Sequence, residues 1–410
     1  MSDPPTPIPT ATTEEVPAAA APSVPLAVVT GLFLASIALR PQLLAIGPLL
    51  PAIRADLDLP ASVAGLITTI PVLCMGLFAP IGPRIAARLG PRLAFALCLG
   101  LIAGFGIVRA LVPSVGLLLV ATFAIGVGIG IAGAVPSMVV SQRMPGHRAM
   151  GTGAYAGGIV AGSAIAAAVA VPLALGGEAW QRSLAIISLL SFGSFVAWLT
   201  FVRADGHERP VQARALRLPW SSGTAWLLVV LFGTQSLLFY GIVAWLPNVL
   251  VERGWTAAET GILLGVFNGV GLVTTLGVPL FADRVGSRRS QLLIAAVVAL
   301  IALVGISTVP MLTVAWVVLL GLALGAVFPL VLTLPLDVAD QPSQVGAVAA
   351  LMLLGGYILA SMGPFVLGAA RDITGDFAAS LWLLVVLAAV FGAGCLALSP
   401  ARLHRGVHGG

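Results

Sequence analysis

The chain has 410 residues, of which 59% are hydrophobic and 9% are charged, and its mean hydropathy is +1.09. A soluble domain carries about 25% charged residues, so this composition excludes the water-soluble globular classes. Several apolar stretches exceed the ~20 residues that a helix needs to cross a bilayer, and they are continuous instead of alternating. We therefore predict an all-α polytopic membrane protein and not a transmembrane β-barrel.

The few charged residues are informative mainly through their positions. All 20 basic residues are arginine, against 15 acidic residues, which gives a formal charge of +5. In a membrane protein these arginines indicate topology and anion chemistry, so we predict no nucleic-acid partner. Cys74, Cys98 and Cys395 fall inside apolar segments and predict neither a disulfide framework nor a metal site. We predict no cofactor.

The N-terminal residues 1–24 are rich in Pro, Ala and Thr. This composition cannot bury a core, so we predict a disordered tail. The tail lacks a basic region followed by an apolar region and does not resemble a signal peptide. The sequence then predicts twelve membrane segments near residues 26–51, 62–84, 93–112, 115–138, 150–172, 183–202, 224–247, 257–280, 290–309, 311–334, 345–368 and 379–399.

A polar stretch at 203–221 separates two groups of six segments. We predict a six-helix bundle over 25–202, a cytoplasmic linker over 203–221, a second six-helix bundle over 222–400 and a cytoplasmic tail over 401–410. Fourteen arginines fall on one side of the predicted helices and four on the other. Arginine is enriched on the cytoplasmic side, so we predict a multi-pass protein of a bacterial inner membrane, surrounded by lipid, with both termini in the cytoplasm.

The two groups of six segments repeat in sequence at an offset of 196 residues. Leu50-Pro51 corresponds to Leu246-Pro247, and the loops after segments 2 and 8 correspond to each other. A parallel repeat of two halves is typical of transporters that bind their substrate at the midplane between the halves. Glycines spaced four residues apart further predict close helix packing at four pairs: Gly153 and Gly157, Gly158 and Gly162, Gly261 and Gly265, Gly321 and Gly325.

The loop after segment 8 reads Ala282-Asp283-Arg284-Val285-Gly286-Ser287-Arg288-Arg289. It resembles the G-x-x-x-D-R-x-G-R-R loop of the major facilitator superfamily. The first-half copy departs from this pattern, with Ala87 where the aspartate is expected. The resemblance implies the major facilitator fold, with twelve transmembrane helices in two six-helix halves. It also implies a cytoplasmic gate formed by Asp283, Arg284, Arg288 and Arg88.

Several motifs are more specific: Leu39-Arg40-Pro41, the run 47–54, the run 65–74 and the run 76–80 that leads into Arg84. In these motifs the chain resembles the cyanate/2-nitroimidazole transporter family, and the resemblance covers nearly all of the chain after the tail. It implies secondary transport, with uptake favoured over export, and it leaves the solute unidentified.

Arg40 lies within ~2–3 Å of the midpoint of segment 1, by helical rise. A central arginine costs about 2.5–3.5 kcal/mol on insertion scales, and no Asp or Glu lies in the interior of any segment to neutralise it. Pro41 removes a backbone donor directly after it. We interpret Arg40 as a guanidinium that binds an anionic or strongly polar substrate. The alternative is a structural arginine capped by backbone carbonyls and water.

Other polar residues fall near the midplane or further out along the segments. Gln235, Asn268 and Tyr357 lie near the midplane, whereas Tyr155 and Tyr240 lie further out in opposite directions. With Arg40, these six residues form the predicted substrate site, and interhelical hydrogen bonding is the alternative role for each of them singly. Arg109 lies near the outer end of segment 3, where we expect its side chain to reach the interface.

The function predicted from these features is transport and not enzymatic catalysis, because no segment offers a nucleophile–base pair, a metal-ligand cluster or a P-loop. We predict a monomer that moves a small anionic or polar nitrogenous solute, cyanate-like or imidazole-like, by alternating access. A coupling proton, a counter-anion and facilitated diffusion all stay open. Two alternatives remain: an exporter of weakly polar drugs or metabolites in which Arg40 is structural, and a transporter-like receptor that binds without flux.

Overall fold

The computed structural model describes residues 26–111, 114–133, 135–144, 147–175, 179–203, 218–281, 287–338 and 341–398. The regular structure of these residues is helical. The predicted tails 1–24 and 401–410, most of the predicted linker 203–221 and the loop residues Asp283 and Arg284 lie outside the described residues.

The first half of the chain forms six long helices: α1 (Leu26–Ser36, Ile37–Leu39, Pro41–Leu44 and Ile46–Leu57), α2 (Ala61–Phe78, continued by Ala79–Ile81 and Gly82–Leu89), α3 (Pro91–Leu111), α4 (Val115–Ala132, continued by Val135–Arg143), α5 (Arg148–Leu173) and α6 (Trp180–Phe201). The second half forms six more: α7 (Gly223–Glu252), α8 (Ala257–Phe281), α9 (Arg288–Thr308), α10 (Thr313–Val338), α11 (Pro342–Thr374) and α12 (Ala378–Leu396).

Eleven helices in the described part of the chain are long and apolar enough to cross a membrane. Helix α5 occupies the position of the remaining predicted segment, 150–172. The prediction of an all-α membrane protein with two groups of six helices is confirmed.

Helix α1 is interrupted at its centre, where the sequence predicted one continuous segment. A 3-10 turn ends at Leu39, Arg40 has φ −117° and ψ −29°, and a new helical turn begins at Pro41. Pro41 has no N–H for the preceding turn, and it favours the first position of a helix. The carbonyl oxygen of Arg40 accepts hydrogen bonds from the N–H groups of Leu43 and Leu44, both at 3.0 Å. The interruption therefore restarts the helix immediately after Arg40.

Arg109 on α3 is fully buried, with 0% of its side chain exposed, so the expectation that it reaches the interface is wrong. It shares a buried stripe with Gly106 and Ile102, which lie three and seven residues before it along the helix. This stripe faces the interior of the first half. The position of Arg109 along the helix suggested that its side chain reaches the membrane interface. Arg109 lies on the buried side of the helix, however, and so it is enclosed by the protein.

The guanidinium of Arg109 holds the interrupted part of α1. Its Nη2 donates to the backbone oxygen of Gln42 at 2.9 Å and to Gln42 Oε1 at 2.6 Å. Gln42 is also 0% exposed, and its Nε2 donates to Ser188 Oγ on α6 at 3.0 Å. Gln42 thus links α3 and α6 to α1 two residues after Arg40.

Glycines bring some of the helices to backbone contact. A Cβ atom would collide with carbonyl groups of α1 or α8 at four of the predicted positions: Gly158, Gly162, Gly321 and Gly325. Close packing is confirmed there for α5 on α1 and for α10 on α8. The packing prediction is wrong for Gly153 and Gly265, where a Cβ atom would meet nothing within 4 Å.

The two halves are joined at the outer end of the bundle, which we define as the end opposite Leu26 and Leu398. Arg54 of α1 donates through Nη1 to Asn248 Oδ1 of α7 at 3.2 Å. The Arg54 guanidinium also lies 5.7 Å from the ring centroid of Trp245, within the range of a cation–π contact. Side chains of both halves therefore meet at this end.

A carboxylate also joins the two halves at the outer end and helps to keep this end closed. Asp372, near the outer end of α11, accepts hydrogen bonds from the N–H groups of Ala61 at 2.8 Å and Ser62 at 2.7 Å. These N–H groups belong to the first turn of α2, where they lack partners within their own helix and where negative charge is favourable. A residue of the second half thus caps a helix of the first half.

Two glycines allow this closure. A Cβ atom at Gly47 of α1 would overlap the carbonyl oxygen of Val243 on α7, and one at Gly65 of α2 would overlap that of Pro364 on α11. The halves therefore meet backbone to backbone near the outer end.

We predict that Arg109→Leu lowers the free energy of unfolding by about 1–3 kcal/mol, because two buried acceptors on Gln42 lose their donor. Gln42→Leu should cost more, since it removes an acceptor from a buried guanidinium whose Nε and Nη1 have no hydrogen-bond partner among the described residues. The double variant should be no less stable than Gln42→Leu, because both changes affect the same network. Thermal and chemical unfolding in detergent measure these differences.

The matched control for this series is Arg182→Leu, which removes an exposed arginine from the same half. It should change the free energy of unfolding by less than about 0.5 kcal/mol. Fully additive losses in the double variant would show that Arg109 and Gln42 do not act together.

Candidate functional site

A cavity of about 170 Å³ lies between the two halves. Its walls come from α1 and α5 of the first half and from α7, α8, α10 and α11 of the second half. Five of the six predicted substrate-site residues line it: Arg40, Gln235, Tyr240, Asn268 and Tyr357. The fold thus brings together residues that lie on four different helices.

Arg40 connects the two halves inside this cavity. Its Nη1 donates to the phenol oxygen of Tyr240 at 2.7 Å. Tyr240 is 3% exposed, and its hydroxyl in turn approaches Met75 Sδ at 3.8 Å. The sequence placed Tyr240 further from the midplane than Gln235, yet its long side chain brings the hydroxyl to Arg40. Tyr357 lines the same cavity, and its phenol interacts electrostatically with the Arg40 guanidinium.

The charge of the cavity is positive. Arg40 is the one charged residue among the described residues that line it. Its described hydrogen-bond partner, Tyr240, is a neutral phenol and not a carboxylate. In a medium of low dielectric an uncompensated guanidinium attracts an anion far more strongly than it would in water. An anion or a strongly polar acceptor in this cavity would therefore be attracted to the guanidinium.

The smaller polar groups of the cavity are mostly engaged with the protein. Asn268 Nδ2 donates to the carbonyl of Leu264 at 2.8 Å, and Gln235 Oε1 accepts from Ser236 Oγ at 3.1 Å. The hydroxyls of Ser163 and Thr275 donate to backbone carbonyls at 2.8 and 2.9 Å. The strongest donor left for a solute is therefore the Arg40 guanidinium.

The remaining predicted residues lie elsewhere. Tyr155 is half-buried and packs against a hydrophobic cluster formed mainly by residues of the first half; it is not among the residues that line the cavity. Arg288 forms an ion pair with Asp337 at 3.3 Å, and Arg88 is exposed. Asp283 and Arg284 lie outside the described residues. The gating role of these four charged residues stays a prediction.

Sequence reasoning missed the aromatic wall of the cavity, which consists of Phe239, Phe267 and Phe328. Phe239 follows Gln235 by one helical turn, and Phe267 is adjacent to Asn268. The helical repeat therefore carried a signal: residues one turn from a predicted polar site residue share its side of the helix.

The comparisons with known proteins agree with this architecture. The sequence model of the Major Facilitator Superfamily matches residues 26–364. The chain is 32% identical to the 2-nitroimidazole transporter of Escherichia coli (strain K12), over 90% of this chain and 94% of that protein. It is 33% identical to the cyanate transport protein CynX of the same organism, over 84% of this chain and 90% of that protein.

Solved structures share the fold at lower sequence identity. A bacterial homologue of the human lysosomal transporter Spinster, in an inward-facing and occupied conformation, aligns with a TM-score of 0.72 at 16% identity, over 93% of this chain and 97% of that one. The D-xylose-proton symporter aligns with a TM-score of 0.70 at 16% identity, over 90% and 96%. With two sequence relatives that span most of its length and a superfamily match from Leu26 to Pro364, this membrane protein belongs to the major facilitator superfamily of transporters.

Proposed function

We propose that this transporter moves a small anionic or polar nitrogenous solute, cyanate-like or imidazole-like, across the bacterial inner membrane. The protein is a transporter and not an enzyme, and it works by rocker-switch alternating access as a monomer with cytoplasmic termini. The observation that carries the proposal is Arg40, which lines the cavity between the halves without a carboxylate among the described lining residues. The two relatives from Escherichia coli, a 2-nitroimidazole transporter and a cyanate transport protein, support the same solute class.

Arg40 and the two phenols form a site that responds to the charge of a solute. The phenol oxygen of Tyr240 accepts a hydrogen bond from the guanidinium. An anion is a stronger acceptor than a phenol and takes the guanidinium donors, preferably two at once. The hydroxyl protons of Tyr240 and Tyr357 can then be donated to the anion as well. The solute therefore binds residues of both halves at the same time.

Alternating access follows from the helices that carry this site. Tyr240 lies on α7 eight residues before Asn248, about 12 Å along the helix. Arg40 and Arg54 likewise share α1, and Tyr357 and Asp372 share α11. Three of the four helices that carry the predicted site residues of the cavity thus also contribute to the closed outer end. When the halves move around a bound solute, the contacts at the cavity and the contacts at the outer end change together, as the rocker-switch mechanism requires.

Few residues of this cavity could couple transport to the movement of a proton. The described lining residues include no carboxylate or histidine that could relay a proton. Coupling would instead use a carboxylate in a loop, the protonation of the solute itself or an exchanged counter-anion, and facilitated diffusion needs none of these.

We predict that Arg40→Ala abolishes the thermal stabilisation of the purified protein by small anions and nitrogen heterocycles, because the guanidinium provides their main attraction. Arg40→Lys should be impaired too, since an ammonium cannot form the planar two-point contact. A thermal-shift screen with direct binding measurements tests both variants. Arg182→Ala, which removes an exposed arginine, is the matched control and should bind normally.

The opposite result would identify the alternative function. Ligands that are mainly lipophilic, and that stabilise Arg40→Ala as well as the parent chain, would indicate an exporter of weakly polar compounds in which Arg40 is structural. Binding without any flux in proteoliposomes would indicate a receptor.

We predict that Asp372→Ala opens the outer end more often. The test introduces Ser236→Cys in the cavity wall and measures its labelling by a membrane-impermeant thiol reagent added outside; the native cysteines are buried. The labelling rate should rise about two- to tenfold, because an exposed carboxylate that caps two N–H groups contributes about 0.5–1.4 kcal/mol.

Asp376→Ala is the matched control for this measurement. Asp376 caps the N–H of Ala378 at 2.9 Å, which is a contact within the second half only. Its removal should leave the labelling rate unchanged. Equal labelling in both variants would show that Asp372 does not hold the halves together.

A further inference from the structure

The cavity is larger than a linear triatomic anion requires. Its volume is about 170 Å³. For comparison, an apolar protein cavity of about 150 Å³ binds benzene. A triatomic anion at Arg40 would therefore leave most of this space to water, whereas a single six-membered ring with one small substituent would fill it.

Part of the cavity wall is aromatic. Phe239 of α7 and Phe267 of α8 stack with ring centroids 6.0 Å apart and planes inclined by 29°. Phe328 of α10 adds a third ring to the lining. Phe239 also packs edge-on against Tyr240 at 5.3 Å, so the aromatic wall continues to the phenol that contacts Arg40.

Glycines contribute backbone to the same cavity wall. Gly271 of α8 and Gly325 of α10 both line the cavity, and a Cβ atom at Gly325 would overlap the carbonyl oxygen of Gly271. The two backbones therefore form a smooth surface beside the aromatic rings. Such a surface accommodates a flat molecule.

We propose that the solute is a single-ring aromatic monoanion, of the class of benzoate or an azole carboxylate. Its anionic group binds Arg40 with the phenols of Tyr240 and Tyr357, and its ring packs against Phe239, Phe267 and Phe328. This inference rests on the proposed function and narrows its solute class.

The single positive charge of the cavity limits the number of negative charges that a bound solute can carry. One guanidinium, with no second cation among the described lining residues, can neutralise one carboxylate. A second carboxylate on the ring would enter a low-dielectric space without a partner, which is strongly unfavourable. The site should therefore reject aromatic dicarboxylates.

The experiment measures the dissociation constants of five solutes by isothermal titration calorimetry: benzoate, cyclohexanecarboxylate, acetate, cyanate and phthalate. Benzoate should bind at least about tenfold more tightly than acetate or cyanate, because it buries a ring. It should bind about two- to tenfold more tightly than cyclohexanecarboxylate, which has the same charge and similar size but no aromatic ring. Phthalate should bind more weakly than benzoate.

Two phenylalanine variants test whether the aromatic wall causes the preference for benzoate over acetate. Phe328→Leu should reduce the preference for benzoate over acetate several-fold while acetate binding stays the same. Phe192→Leu, which replaces an exposed ring on α6 away from the cavity, is the matched control and should keep the preference. All anion binding should disappear in Arg40→Ala.

The possible failures separate the two proposals. Arg40-dependent binding of cyanate or acetate as tight as that of benzoate would overturn the aromatic inference and leave the proposed function standing. Equal binding of benzoate and cyclohexanecarboxylate, or an unchanged preference in Phe328→Leu, would overturn the role of the aromatic wall. The absence of Arg40-dependent binding for all five solutes, and for imidazole tested alongside them, would overturn the proposed function itself.

Discussion

The positive charge of Arg40 at the centre of the membrane is the constraint on which the rest of the site depends. A guanidinium in this position is costly unless polar groups surround it. Among the described residues that line the cavity, none is a carboxylate: the helix is interrupted at Arg40 and Pro41, and the phenol of Tyr240 accepts a hydrogen bond from Nη1. The compensation is neutral, and the charge therefore remains available to a solute.

The first half contains a second buried guanidinium with a different role. Arg109 donates to Gln42, and Gln42 donates to Ser188, so three helices are tied together directly beside the interruption of α1. Arg40 lines the cavity, whereas Arg109 is enclosed in the helix bundle. The charge of Arg40 faces the cavity, whereas Arg109 stabilises the part of α1 from which the Arg40 side chain extends.

The sequence was sufficient to predict the helices, the two halves and most of the polar residues of the cavity, because length, hydropathy and rare polar residues are strong signals in an apolar chain. It could not predict which side of each helix faces inward. Helices that are apolar all round give no periodic signal. The burial of Arg109 and the position of Tyr155 outside the cavity therefore depend on the packing of neighbouring helices, which the sequence of one helix does not reveal. The capping of α2 by Asp372 joins positions 310 residues apart, which no local pattern reports.

The backbone contacts at Gly47 and Gly65 have a consequence for how conformations of this chain can be isolated. Closure of the outer end requires that neither residue carries even one methyl group. An alanine at either position would destabilise the closed form through steric overlap of its methyl group. It would not affect an open form in which these helices have separated. A single added carbon atom could in this way trap the opposite conformation while the chemistry of the central cavity stays intact.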